Sequence, residues 1–181
     1  MNRLFLALEP SSLVRRAIAD WQPKPHEKLD RQGMRWAKSD KYHVTLLFLG
    51  DLPVEQVKEE AEELVGKATA PRLHIGRLTG LPDNKRPGVL ALEVSDSTGS
   101  LAPLQTSLQI ALLGTEDEYT PHLILSRMKP ASTKLGHKLR DYIHSGEHPE
   151  DLEWTPEAAT LFNSLPDGSY ELIARFEFKR V

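Results

Sequence analysis

The sequence predicts an α+β fold built from a doubled chain, on three observations. Two short runs open with a histidine and continue apolar: His43-Val44-Thr45-Leu46 within 42–50, and His122-Leu123-Ile124-Leu125 within 120–127. Leu6-Ala7-Leu8-Glu9 returns letter for letter as Leu90-Ala91-Leu92-Glu93. The order strand, helix, histidine strand, helix, strand is met once in each half. Copies of one unit usually pack about a pseudo-two-fold axis. The expectation is a single domain over 1–181 with two lobes around a shared core, the pseudo-repeats being about 1–86 and 87–181.

The elements follow in order. Leu4–Leu8 is short and uniformly apolar, a buried strand. Pro10-Ser11-Ser12 supplies turn and N-cap chemistry. Leu13, Val14, Ala17, Ile18 and Trp21 then recur at helical spacing opposite Arg15, Arg16 and Asp20, so 12–22 reads as an amphipathic helix. Pro23 and Pro25 end it, and 24–33 reads as loop. Arg35-Trp36 leads into the first histidine strand, which stops at Gly50-Asp51. Pro53 opens a helix over Val54–Lys67 with Val57, Ala61, Leu64 and Val65 inward. A strand covers 73–78, and 80–88, with two prolines and Asp83-Asn84, reads as an exposed loop.

In the second half, 90–93 is a strand, and Leu101, Leu104, Leu108, Ala111 and Leu112 form a helical stripe. Three acids, Glu116, Asp117 and Glu118, precede the second histidine strand. A helix near 131–144 turns Leu135, Leu139, Tyr142 and Ile143 inward, and 149–153 is a linker. Strand material lies within 154–165, Pro166-Asp167-Gly168-Ser169 is a hairpin turn, and 170–178 alternates as the last strand.

Composition narrows the function. With 39% hydrophobic and 27% charged residues the chain is an ordinary globular protein. A formal charge of −3 gives no global attraction to nucleic acid, so any anion site is a local patch. The absence of cysteine excludes disulfides, thiolate catalysis and cysteine-held metals. No apolar run approaches the roughly 20 residues needed to span a bilayer. The apolar start is too short for a signal sequence and runs into Glu9, so the expected location is cytoplasmic, without membrane partners.

Strand parity sets the candidate chemistry. Residues i and i+2 point the same way, so His43 shares a face with Thr45, and His122 with Ile124. Equivalent positions of two repeats face each other across the axis, which puts His43 and His122 on opposite walls of one cleft. Imidazole titrates near neutrality, so one ring can accept a proton while the other donates one, as displacement at phosphorus requires. Thr45 is placed by parity to hydrogen-bond a phosphoryl oxygen. This chemistry requires no metal and no cofactor, and the chain offers no compact ligand set. His26, His74, His137, His144 and His148 read as surface or structural residues.

The paired motifs resemble the His-x-Thr/Ser-x motifs of the 2H phosphoesterase superfamily, and within it the RNA 2′,3′-cyclic phosphodiesterases, also called LigT-like proteins or 2′-5′ RNA ligases. Arg3-Leu4-Phe5-Leu6-Ala7, 35–50, 121–127 and 161–178 read like landmarks of that family. The resemblance implies a bilobal α+β fold, two pseudo-symmetric lobes with antiparallel sheets flanking a central cleft and helices outside. It implies hydrolysis of a 2′,3′-cyclic phosphate at an RNA end, or on a small cyclic nucleotide, to a 2′-phosphate; separately, the chain is expected to be a monomer. It implies His43 as general acid and His122 as general base, although the pseudo-symmetry leaves the two roles interchangeable. Arg127 matches a recurrent family arginine that would neutralise phosphate charge.

One position departs from the pattern. Ile124 stands where the family has Thr or Ser, which removes a hydroxyl donor. Ser126 shares the parity of Ile124 but lies one pleat repeat further, about 7 Å along the strand, a doubtful replacement. A protein that binds 2′-phosphate or cyclic-phosphate ends without efficient turnover is the alternative. Phe5, Trp36 and Tyr42 offer faces for a terminal base, with core packing preferred for Phe5 and Trp36. Arg35, Lys38, Lys41, Lys85 and Arg86 are candidates for the basic patch.

Overall fold

Strands and helices alternate along the chain as the apolar periodicity predicts. The structure is a computed structural model that describes residues 2–22, 27–29, 33–129, 133–149 and 152–179. Its elements are β1 (Leu4–Leu8), α1 (Ser12–Trp21), β2 (Met34–Trp36), a 3₁₀ turn (Ser39–Lys41), β3 (Val44–Gly50), α2 (Val54–Lys67), β4 (Leu73–Leu81), β5 (Val89–Asp96), α3 (Leu101–Leu113), β6 (His122–Met128), α4 (Thr133–His144), β7 (Glu153–Trp154), β8 (Ala158–Ser164) and β9 (Tyr170–Glu177). The expected helix start at 131–132, part of the 24–33 loop with His26, and part of the 149–153 linker lie outside the described residues.

The strands form a curled antiparallel sheet in the order β7-β4-β5-β6-β3-β1-β8-β9, with β2 added on β6. Its two halves mirror each other from the centre outward, β3-β1-β8-β9 against β6-β5-β4-β7. They meet through one described pair, Val44 opposite Leu123. The sequence boundary near 86–87 does not follow this division. β4, encoded before it, pairs with β5, and β8, encoded late, pairs with β1.

The core sits against one face of the sheet. Leu6, Leu8, Val44, Leu90, Leu92, Leu123 and Leu125 are fully buried there and contact helices α2 and α3 in one continuous cluster. Each such leucine contributes about 1.5–3 kcal/mol relative to exposure. Helix α1 begins as the sequence predicts, with Ser11 Oγ accepting from the Val14 N–H at 3.3 Å. It buries Val14, Ile18 and Trp21, while Leu13, expected inward, is 76% exposed because it falls off that stripe.

Candidate active site

Strands β3 and β6 lie side by side at the middle of the sheet. Val44 and Leu123, the bridging pair, are both fully buried on the core face. Paired residues of an antiparallel ladder point the same way, and their neighbours point the opposite way. His43, Thr45, His122 and Ile124 therefore all project from the face away from the core.

Both strands then carry a β-bulge at the equivalent place. In β3 the partners of Thr45 and Leu47 are consecutive on β1, which leaves Leu46 as the extra residue. In β6 the partners of Ile124 and Ser126 are consecutive on β5, which leaves Leu125 as the extra residue. A bulge puts two successive side chains on one side and resets the parity beyond it. Leu46 and Leu47 are both buried, as are Leu125 and Ser126. Phe48 and Arg127, the next residues, are exposed on the histidine face.

The rings are fixed alike. His43 Nδ1 lies 2.7 Å from the Lys41 carbonyl, and His122 Nδ1 lies 2.8 Å from the Thr120 carbonyl. A carbonyl only accepts, so each ring donates Nδ1–H and leaves Nε2 as the site of proton exchange. His43 packs between aromatic rings, 5.2 Å from Phe5 and 5.5 Å edge-on from Tyr170. Burial there lowers its pKa below the ordinary 6.5, the Lys41 carbonyl and the Glu9 carboxylate oppose that shift, and the charges of Arg127 and His122 add to it.

A cleft of about 970 Å³ opens beside this face, lined by His43, Thr45 and Ile124. Arg3, Arg35, Lys38, Lys41 and Arg127 also line it, against one acid, Asp167. Arg35 and Arg127 stand directly opposite in the β2–β6 ladder, an arrangement of like charges that an anion between them would relieve. His122 shares the face without lining the cleft, and its charge is felt at His43. Lys41 hydrogen-bonds the Gly168 carbonyl and sits 5.4 Å over the Tyr170 ring, which holds the β8–β9 turn at the rim.

A family model described as LigT like Phosphoesterase matches residues 8–91. Two curated relatives carry the name RNA 2′,3′-cyclic phosphodiesterase. The one from Aquifex aeolicus is 31% identical over 60% of this chain and 63% of its own, slightly under two thirds of that protein's length. The one from Methanocaldococcus jannaschii is 25% identical over 94% of this chain and 98% of its own. Over the matched residues this chain is similar to the LigT-like phosphoesterases.

Solved structures agree with the family in fold. A protein of Thermus thermophilus superposes with a TM-score of 0.74 at 21% identity, covering 98% of both chains. Escherichia coli LigT complexed with 3′-AMP gives 0.73 at 20% identity, covering 99% of both. As the expected α+β fold requires, helices and antiparallel strands combine in two sheet halves, with a cleft beside the histidine face.

The structure gathers His43, Thr45, Ser126 and Arg127 along the cleft lining. Ser126 belongs to that lining, yet the residue is 1% exposed and, among the described residues, its Oγ has no hydrogen-bond partner just beyond the Leu125 bulge. Lys85 and Arg86 lie outside the cleft lining, in a loop where Asp83 accepts from both of their N–H groups. Tyr42 is a core residue at 1% exposure, and Trp36 packs against the core while lining the cleft. Phe5 is buried, packs at a tilt against His43 and still lines the cleft, so it serves both readings.

Residue-by-residue reading missed Phe48, Tyr170 and Glu9. Phe48 is 66% exposed on the cleft face, five places after His43 as Arg127 is after His122. Glu9 closes the repeated Leu-Ala-Leu-Glu segment and accepts from Thr160 Oγ1 at 3.1 Å beside His43. Aligning the two halves would have found Phe48 and Glu9, and nothing local marks Tyr170. Among the described residues no group of three His, Asp or Glu side chains is arranged to hold a metal ion, and no helix is long and apolar enough to cross a membrane.

Proposed function

We propose that the protein hydrolyses 2′,3′-cyclic phosphate ends of RNA, or small cyclic nucleotides, to 2′-phosphates by paired-histidine acid–base catalysis. The observation that carries this reading is the like fixing of two imidazoles on adjacent strands of one sheet face, beside a cationic cleft. His122 Nε2 takes a proton from water as the water oxygen bonds to phosphorus. The bond from phosphorus to the 3′ oxygen breaks, and His43 Nε2 gives that oxygen its proton. Thr45 Oγ1 donates to a non-bridging oxygen, and Arg127 with Arg35 offsets the phosphate charge. A lowered pKa makes protonated His43 a strong acid, and the anion bound beside it restores the population of the charged ring.

Incubation of an oligoribonucleotide bearing a 2′,3′-cyclic phosphate, in EDTA, tests the scheme. The expected product gains the mass of one water, and its terminal phosphate is removed by phosphatase to leave a 2′,3′-diol. A 3′-phosphate product, or no turnover, defeats it. Ile124 favours a second reading, a binder of phosphorylated ends with little turnover, since the half-site beside His122 lacks a hydroxyl. Tight retention of a 2′-phosphate end with negligible hydrolysis would select that reading.

A further inference from the structure

We infer that Tyr119 is a positioning residue that fixes the spacing of the two histidine motifs. The inference rests on the reading above, in which His43 and His122 act on one phosphorus centre. The ladder between β3 and β6 contains one described pair, Val44–Leu123, so it is a short tether for two motifs that must keep register. Beside it, Tyr119 Oη donates a 3.1 Å hydrogen bond to the main-chain carbonyl of Thr45, inside the first motif. Tyr119 is bonded to Thr120, whose carbonyl orients the His122 ring of the second motif. One side chain thus ties the backbone of one motif to the segment that aims the other.

The same segment is held at its far end. Gln109, buried on α3, donates from Nε2 to Asp117 Oδ2 at 2.9 Å and to Thr115 Oγ1 at 3.3 Å. On the near side the Val94 N–H donates to the Pro121 carbonyl at 3.2 Å. With both flanks pinned, the phenol hydroxyl is the link directed across to β3. The ring itself packs against the core, which phenylalanine would do equally well. What the hydroxyl adds is the cross-strand bond, and burial raises its pKa so that it remains a donor at working pH.

The test is Tyr119→Phe, which keeps the ring. Turnover of a cyclic-phosphate RNA end is expected to drop about 3–10-fold in kcat, the worth of one ordinary hydrogen bond, with KM and the thermal midpoint little changed. Imidazole ¹⁵N spectra give a readout that does not depend on activity. His122 in the wild-type protein is expected as the Nδ1-protonated tautomer, and as a tautomer mixture in Tyr119→Phe. Tyr142→Phe removes a hydroxyl that bonds Glu147 on another element and is expected to leave His122 unchanged. His122 signals that are the same in Tyr119→Phe and wild type overturn the inference, whatever happens to kcat. Absence of turnover in the wild type would defeat the functional reading alone, and the His122 spectrum would still decide this one.

Discussion

Residues 43–48 and 122–127 follow one backbone course with different side chains. Each segment runs partly exposed, buried, partly exposed, buried, buried, exposed. The two histidines, the core pair Val44 and Leu123, and the bulge leucines Leu46 and Leu125 correspond. Three positions diverge: Thr45 against Ile124, Leu47 against Ser126, and Phe48 against Arg127. Under the proposed scheme, the difference teaches that proton-transfer groups are held symmetrically while binding groups are not. One side of the cleft offers a hydroxyl and an aromatic face, and the other a cation. The proposed reaction, whose attacking water and leaving ribose oxygen differ, needs that division.

Removing the shared feature should have the largest effect. His43→Ala and His122→Ala are each expected to lower kcat by about 10²–10⁴, the usual worth of positioned acid–base catalysis. Single-turnover assays on a cyclic-phosphate end measure this, and near-wild-type activity in either would contradict the paired scheme. The divergent pair Phe48 and Arg127 comes next. Arg127→Gln should lower kcat/KM by about 10–100-fold through a lost charge-assisted contact. Phe48→Ala should raise KM by roughly 5–100-fold and spare kcat, if a base stacks there. Equal kcat effects in both variants would erase the proposed division of labour.

Ile124→Thr restores the likeness between the halves. A rise in kcat/KM of about 10-fold is expected from one added hydrogen bond to the charged phosphate, by steady-state kinetics. No gain would mean that this half-site works without a hydroxyl. Glu9→Gln probes the two histidine environments by pH. Because burial holds His43 below 6.5, the alkaline limb of kcat/KM should fall below that pH. Glu9 stabilises the imidazolium, so its neutralisation should move the limb to still lower pH. A limb that stays put would detach Glu9 from His43. Ser126→Ala has the smallest expected effect on activity. It deletes a buried hydroxyl without a partner and should raise stability by about 1 kcal/mol, seen in denaturant unfolding, with kinetics unchanged.

The fold class and the two histidine strands were legible because histidine-led apolar runs and a repeated tetrapeptide survive as letters, but the rings, expected on opposite walls of a cleft, stand on adjacent strands of one face, with His122 outside the cleft lining. Parity gave the shared face of His43 and Thr45 correctly. It did not reveal the burial of Ser126, because a bulge adds a residue without changing hydrophobicity. In β3 the run from Val44 to Leu49 is nearly all apolar, so no alternation remains from which a break could be read. Phe5 was ambiguous for the same reason, since Leu4–Leu8 is buried on both faces. The exchange of β4 and β8 between sheet halves was not legible, because pairing partners are chosen by tertiary packing rather than by sequence order.

That exchange has a consequence for how the molecule is made. β1 and β3 leave the ribosome early, yet the edge of β1 stays uncovered until β8 follows some hundred and fifty residues later. Tyr170, which walls in His43, arrives later still. Nascent chains should therefore expose the apolar edge of β1 until β8 emerges and lack one wall around His43 until Tyr170 follows, a window in which chaperones would find their client.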